Sequence, residues 1–240
     1  MRNISRRQLL KLGGGLGLLA ALPFGGHAAF AAEGKSLKIG TIGAGNLGGA
    51  VGALWVKAGH EVLFSSRDPA SLKSLVEKLG PKAHAGTVEE AIAFGDAILL
   101  AVPYEAYPQV GRDYGEALKG KIVLDAGNAN RSSLYPETQA NGIGITTAKY
   151  LPGAHIVRAF NAANNRVFTD NAGRTPRIAI PIAGDDQQAL EVAKALISSA
   201  GFDPLVVGGL KDADKFAMGT DGFGHILSAN ELAKKLGVAP

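Results

Sequence analysis

Gly43-Ala44-Gly45-Asn46-Leu47-Gly48 has the spacing G-x-G-x-x-G. The apolar run LKIGTIG (37–43) leads into it, and Leu47, Val51, Leu54, Trp55 and Ala58 recur behind it at helical spacing. A strand feeding a helix through three glycines is the context in which a backbone can cradle a pyrophosphate. Gly43 permits the tight turn, Gly45 lets the anion approach, and Gly48 lets the helix pack close to the strand. The free N–H groups at the helix start, over Asn46 and Leu47, supply the anion site. The competing reading is a glycine-rich turn with no ligand.

The next strand selects the dinucleotide. An NAD site places Asp or Glu near its end, where it accepts from the ribose 2′-OH. This chain has Ser65-Ser66-Arg67 there, two hydroxyls and a guanidinium that suit a 2′-phosphate. The expected cofactor is therefore NADP. Asp68, before Pro69, is expected to cap the following helix.

Other strand ends face the same crevice. Ala101, Val102 and Pro103 offer an apolar edge for a nicotinamide. Asn128 and Asn161 either fix a carboxamide or substrate, or cap their own loops. No Tyr-x-x-x-Lys pair is present, and His84 and His225 read as partly buried structural residues. His155 reads as a turn position. No catalytic residue is assigned and no metal-ligand set is expected. Hydride exchange needs mainly placement, because the cofactor supplies the chemistry. A small-molecule redox substrate is the expected partner. A protein that holds NADP(H) without turnover, as sensor or carrier, is the alternative.

These residues must be positioned by alternating apolar and amphipathic runs. Strands are expected at 37–43, 61–66, 82–86, 96–103, 121–128, 155–161, 177–184 and 202–208. A helix is expected from Asp68-Pro69 to Leu79, and another after Thr87 with Glu90 completing a capping box. One more is expected over 185–199, and 171–177 reads as a loop. Uniformly apolar strands between helices imply parallel pairing covered on both faces. The fold class is α/β, a doubly wound and mostly parallel Rossmann sheet over 36–208. Residues 209–240 are expected to form a peripheral helical tail, compatible with a homodimer.

Residues 1–31 read as a leader. A basic head, an apolar middle and Ala29-Phe30-Ala31 give the pattern of an export signal cleaved after Ala31. Ser5-Arg6-Arg7-Gln8-Leu9-Leu10-Lys11 resembles the twin-arginine signal, so the export machinery of that route and a periplasmic location are expected. That route carries folded proteins, so a cofactor could be loaded before export. A stable membrane anchor is not expected, because the middle is glycine-rich and interrupted by Pro23. The leader holds Arg2, Arg6, Arg7 and Lys11 and no acid, which accounts for the whole formal charge of +4. The remainder is neutral and gives no reason to expect nucleic acid. With no Cys, disulfides and thiol nucleophiles are excluded.

KIGTIGAGNLGGAVGALWVKAGHEVLFSSRD, GTVEEAIAFGDAILLAVPYEA and GKIVLDAGNAN resemble the coenzyme F-420-dependent NADP reductase family, of the pyrroline-5-carboxylate-reductase-like superfamily. HIVRAFN and the stretch from Ala183 to Leu210 are similar too. The resemblance implies NADP held by the Gly43–Gly48 loop and by Ser65, Ser66 and Arg67. It also implies a second cofactor or substrate against the nicotinamide near Pro103, Asn128 and Phe160. Residues 125–130 read Asp-Ala-Gly-Asn-Ala-Asn, whereas the family often has Thr-Asn-Pro.

Overall fold

The computed structural model describes residues 36–240, and the leader expected at 1–31 lies outside them. In chain order the first half runs β1 (Lys38–Ile42), α1 (Asn46–Lys57), β2 (Glu61–Ser65), α2 (Lys73–Leu79), β3 (Ala83–Gly86), α3 (Val88–Phe94) and β4 (Ala97–Leu100). It continues with α4 (Tyr107–Leu118), β5 (Ile122–Asp125), α5 (Tyr135–Asn141), α6 (Ile143–Tyr150) and β6 (His155–Arg158). The remainder is α7 (Asn165–Asn171), β7 (Ala179–Gly184), α8 (Gln187–Ser199), β8 (Asp203–Gly208) and α9 (Ala229–Leu236).

The strands form one eight-stranded sheet in the order β3-β2-β1-β4-β5-β6-β7-β8. This is a Rossmann-like α/β fold. β1 is flanked by β2 and β4, both parallel to it, so the chain reverses its direction of winding between β1 and β4. A crevice opens at such a switch point, beyond the carboxyl ends of the strands.

Two apolar layers sandwich the sheet. On one face Phe160 meets Trp55 of α1, Phe168 and Phe202 in a set of edge-to-face contacts. The Trp55 indole N–H donates to the Leu196 carbonyl at 2.8 Å, tying α1 to α8. On the other face Ile92, Tyr104, Tyr107, Leu151 and Phe216 pack together. Thr87 caps α3 as expected: its hydroxyl accepts from Glu90 N–H, and the Glu90 carboxylate accepts from Thr87 N–H.

Three local expectations change. The helix expected from residue 68 begins as a 3-10 turn, Pro69–Leu72, before α2. Asp68 makes no side-chain cap there; its carbonyl instead accepts from the Ser71 hydroxyl at 2.5 Å. β7 is antiparallel to β6, pairing Val157 with Gly184 and Arg158 with Ala183. The reason lies in the connection. The seven-residue α7 spans only about 10 Å and lies against α1, so it does not carry the chain back to the start of the sheet. β7 and β8 are again parallel, joined through α8.

The chain after β8 holds a 3-10 segment and α9. The 3-10 segment, Leu210–Phe216, buries Leu210, Ala213 and Phe216 in the second apolar layer. Among the described residues no helix is long and apolar enough to cross a membrane.

Candidate functional site

Three glycines shape the turn between β1 and α1, each for a different reason. Gly43 has φ +95°, and a Cβ on it would lie 2.7 Å from the Ala101 carbonyl oxygen. A Cβ on Gly48 would lie 2.0 Å from the Gly43 carbonyl oxygen and 3.3 Å from the Ala101 methyl. Both are required by the protein itself: α1 starts against the backbone of the turn and the end of β4. Gly45 differs. Nothing lies within 4 Å of the place its Cβ would take, so no neighbouring protein atom requires a glycine there. The open space stands over the start of α1, whose first turn has no side-chain cap and no acidic residue. The unpaired N–H groups and the helix dipole leave partial positive charge there. An anion that must approach the backbone closely fits this cradle.

The turn opens on a cleft of about 710 Å³, within the size range of small-ligand sites. Gly43, Gly45, Ser65, Ser66, Arg67, Val102 and Pro103 all line it, so seven of the residues expected from sequence meet at one place. The others fall around it. Asn46 is exposed as the first residue of α1, and Leu47 turns toward the apolar layer of Trp55. Gly48 and Ala101 form the bed of the turn.

Ser65 plays a different part from its neighbour. It is fully buried, and its hydroxyl donates to the Thr41 carbonyl at 2.6 Å. That proton braces β2 on β1, so Ser66 and the exposed Arg67 are the donors left at this rim. Asp68 is absent from the lining.

The opposite wall was not visible in the sequence reading. α4 and the turn before it contribute Glu105, Gln109, Asp113 and Tyr114, while Leu72, Val88 and Val110 add apolar surface. Gln109 donates to Asp113 at 2.6 Å, four residues on along the helix. Such an i, i+4 polar pair reads in sequence as a solvated helix face; only the fold turns it toward a cleft.

Asn128 and Asn161 lie outside the residues that line this cleft. The Asn128 amide donates to the Asn161 carbonyl at 2.8 Å, and the Asn161 amide donates to the Phe216 carbonyl at 3.2 Å. The two amide N–H groups thus link the loop beyond β5 to that beyond β6, and the latter to the C-terminal segment, while both Oδ1 atoms are buried without a hydrogen-bond partner. Phe160, expected beside the nicotinamide, is instead wholly buried against Trp55, Phe168 and Phe202. Its backbone adopts φ +59°, in the left-handed region.

Beneath these loops sits a buried polar network. Asp125 accepts from Arg158 at 2.7 Å, Tyr107 at 2.6 Å, Thr147 at 2.9 Å and the Gly127 N–H at 3.0 Å. Arg158 also donates to the Gly127 carbonyl at 2.7 Å. Burial opposes the charge on Arg158, but Asp125 outweighs that and holds the guanidinium above its ordinary pKa. Burial and then the Asp125 charge push the Tyr107 hydroxyl well above its ordinary value, so it stays a donor. His84 and His225 keep structural surroundings: His84 stands edge-on to Phe94, and a His225 ring nitrogen lies 2.7 Å from the Asp221 carbonyl. His155 is the first residue of β6 and sits 3.1 Å from Asp186.

Comparison with known proteins bears on this cleft. Residues 38–129 match the family described as NADP oxidoreductase, coenzyme F420-dependent. The matched segment runs from β1 to just past β5 and contains the glycine turn, the Ser-Ser-Arg rim and the Val102-Pro103 edge.

The chain is 26% identical over 184 residues to human metalloreductase STEAP2, covering 75% of this chain and 35% of that protein. It therefore spans about a third of that relative's length. It is 27% identical over 175 residues to the F420-dependent NADP reductase of Methanothermobacter marburgensis, covering 65% of this chain and 76% of the reductase. Among solved structures, a hypothetical protein of Sinorhizobium meliloti superposes with a TM-score of 0.70 at 26% identity, covering 81% of this chain and 96% of that one.

Proposed function

We propose that this chain is an NADP(H)-dependent oxidoreductase that moves a hydride between a nicotinamide and a small redox partner. One observation carries the reading. The helix-end cradle that Gly45 leaves open and the Ser66–Arg67 rim face the same cleft. The spacing of that turn suits a pyrophosphate, and the rim suits a phosphate on the adenosine ribose. Val102 and Pro103, at the end of β4, would border the nicotinamide. When bound, the dinucleotide supplies the hydride chemistry; the chain's own residues bind it, orient it and exclude water from one side. Two relatives bear reductase names, one of them for NADP, which supports the same direction.

The test is consumption of NADPH by the purified full chain against flavins, deazaflavins, quinones and carbonyl compounds. Steady loss of nicotinamide absorbance with one acceptor class supports the reading. A dinucleotide held tightly with every acceptor left unreduced would contradict it and point to a sensor or carrier.

The paired arginines Arg6 and Arg7 and the Ala29-Phe30-Ala31 tail support export by the twin-arginine route, with the dinucleotide already bound. Replacing both arginines by lysine should leave the chain in the cytoplasmic fraction; unchanged export would contradict the route.

A further inference from the structure

A second cavity lies on the other side of the β5 end. It encloses about 200 Å³ between the loop after β5, the start of α5 and α6, and the segment after Phe216. Its position follows from the strand order. The Ser-Ser-Arg rim ends β2, the glycine turn ends β1, and Val102-Pro103 follows β4. β5 comes next in the sheet, and Ala129 and Asn130 beyond it line the second cavity. A dinucleotide laid along the first cleft would have its redox end at β4, one strand from the loop that lines this cavity.

The formal charge of the lining has one sign. Asn130 spends its amide on the Met218 carbonyl at 2.8 Å. Thr138 and Thr220 spend their hydroxyl protons on backbone carbonyls at 2.9 Å and 2.8 Å. Asp214 is the one charged residue of the lining. Its Oδ1 accepts from the Ile143 N–H at 3.0 Å, while Oδ2 has no hydrogen-bond or ion-pair partner among the described residues. What remains on the lining is the Tyr135 hydroxyl, the Gln139 carboxamide and one unpaired carboxylate oxygen, the single charge among them.

Tyr135 and Met218 line the cavity, and Ile145, outside the lining, stands beside Gly142. These are three of the four exposed large apolar side chains among the described residues. A concave site that combines apolar side chains with a few convergent polar groups can hold a small molecule.

We propose that this cavity binds the second substrate, and that the substrate carries a cationic nitrogen donor on a small apolar body. Its role as a substrate site rests on the oxidoreductase reading; its preference for a cation does not. An anionic ligand would meet Asp214 with no cation in the lining to offset it, so carboxylates and phosphates are selected against.

Calorimetry on the full chain, with and without NADP, tests this using benzylamine, benzyl alcohol and benzoate, which share one apolar ring. Benzylamine should bind about tenfold more tightly than the alcohol, as one charge-assisted contact allows, and benzoate should bind weakest. Asp214→Asn should bring amine and alcohol to similar affinity. Because Asp214 also holds the start of α6, Gln139→Glu provides a second arm. Gln139 is exposed on the same lining, and an added carboxylate there should strengthen amine binding several-fold with the fold unchanged. Benzoate bound as well as benzylamine, or no ring bound at about 10 mM, would overturn the proposal. The NADP titration in the same experiment separates the two readings. Dinucleotide binding without amine preference sinks the cavity alone, and amine preference without dinucleotide binding sinks the oxidoreductase reading.

Discussion

Arg158 and Asp125 meet at 2.7 Å across β5 and β6, and neither side chain is exposed to solvent. They stand at the ends of neighbouring strands, directly opposite in register. Through Gly127 the pair fixes how the loop after β5 leaves the sheet. Removing one partner of a buried pair leaves the other charged and unsolvated. Asp125→Ala should therefore cost about 3–5 kcal/mol, read as a lower denaturant midpoint at unchanged slope. A loss under about 1 kcal/mol would mean that the network does not hold this end of the sheet.

The glycine turn separates ligand binding from folding. Gly48→Ala puts a methyl 2.0 Å from a backbone oxygen, so α1 must shift; stability should fall by about 1–3 kcal/mol, as overpacking does. Gly45→Ala meets no protein atom within 4 Å and keeps an extended backbone at φ −72°. It should change stability by no more than about 1 kcal/mol, the scale of an N-cap exchange, yet weaken NADP binding at least about tenfold. Thermal melts and calorimetry on the two variants read these effects separately. Equal dinucleotide affinity in Gly45→Ala and the parent chain would show that no ligand approaches there.

His60 makes stability depend on pH. It is buried between the start of β1 and the end of α8, accepting from the Leu37 N–H at 3.0 Å and lying 3.0 Å from the Ser199 hydroxyl. Burial, and then the charge of Lys82, lower its pKa below the ordinary 6.5. The unfolded chain therefore binds the proton more readily than the folded one. The stabilisation is full above about pH 6.5 and is lost as pH falls through that value toward the folded pKa. Urea midpoints measured from pH 8 to pH 5 should decline, and His60→Gln should flatten the part of the decline nearest pH 6.5. An unchanged slope in that variant would assign the effect to other groups.

Much of the fold was legible because its signals are local. Apolar runs marked every strand except β3, which KAHAG suggested only as a short extended stretch, and Thr87 with Glu90 announced α3. The direction of β7 was not legible, because an apolar run of that length reads the same either way and only the short α7 decides it. The Asp125–Arg158 pair left a trace that went unread: one acid and one base, each set inside an apolar strand run (KIVLDAGN and HIVRAFN). Side chains that charged are rarely buried unless paired. Gln109 and Asp113 left none, since a polar pair one turn apart suits bulk water equally well. Phe160 misled for a related reason: its place after β6 is correct, but its ring is buried against Trp55, Phe168 and Phe202.

The central claim is that the Ser66–Arg67 rim reads a phosphate on the adenosine ribose. Isothermal titration of the full chain with NADPH and NADH, repeated on Arg67→Ala, addresses it directly. NADPH should bind more tightly than NADH by at least about tenfold. The variant should lose about 1–3 kcal/mol for NADPH and almost nothing for NADH, as removal of a charge-assisted partner implies. Equal affinity for the two dinucleotides in the parent chain, or an equal loss for both in the variant, would contradict the account.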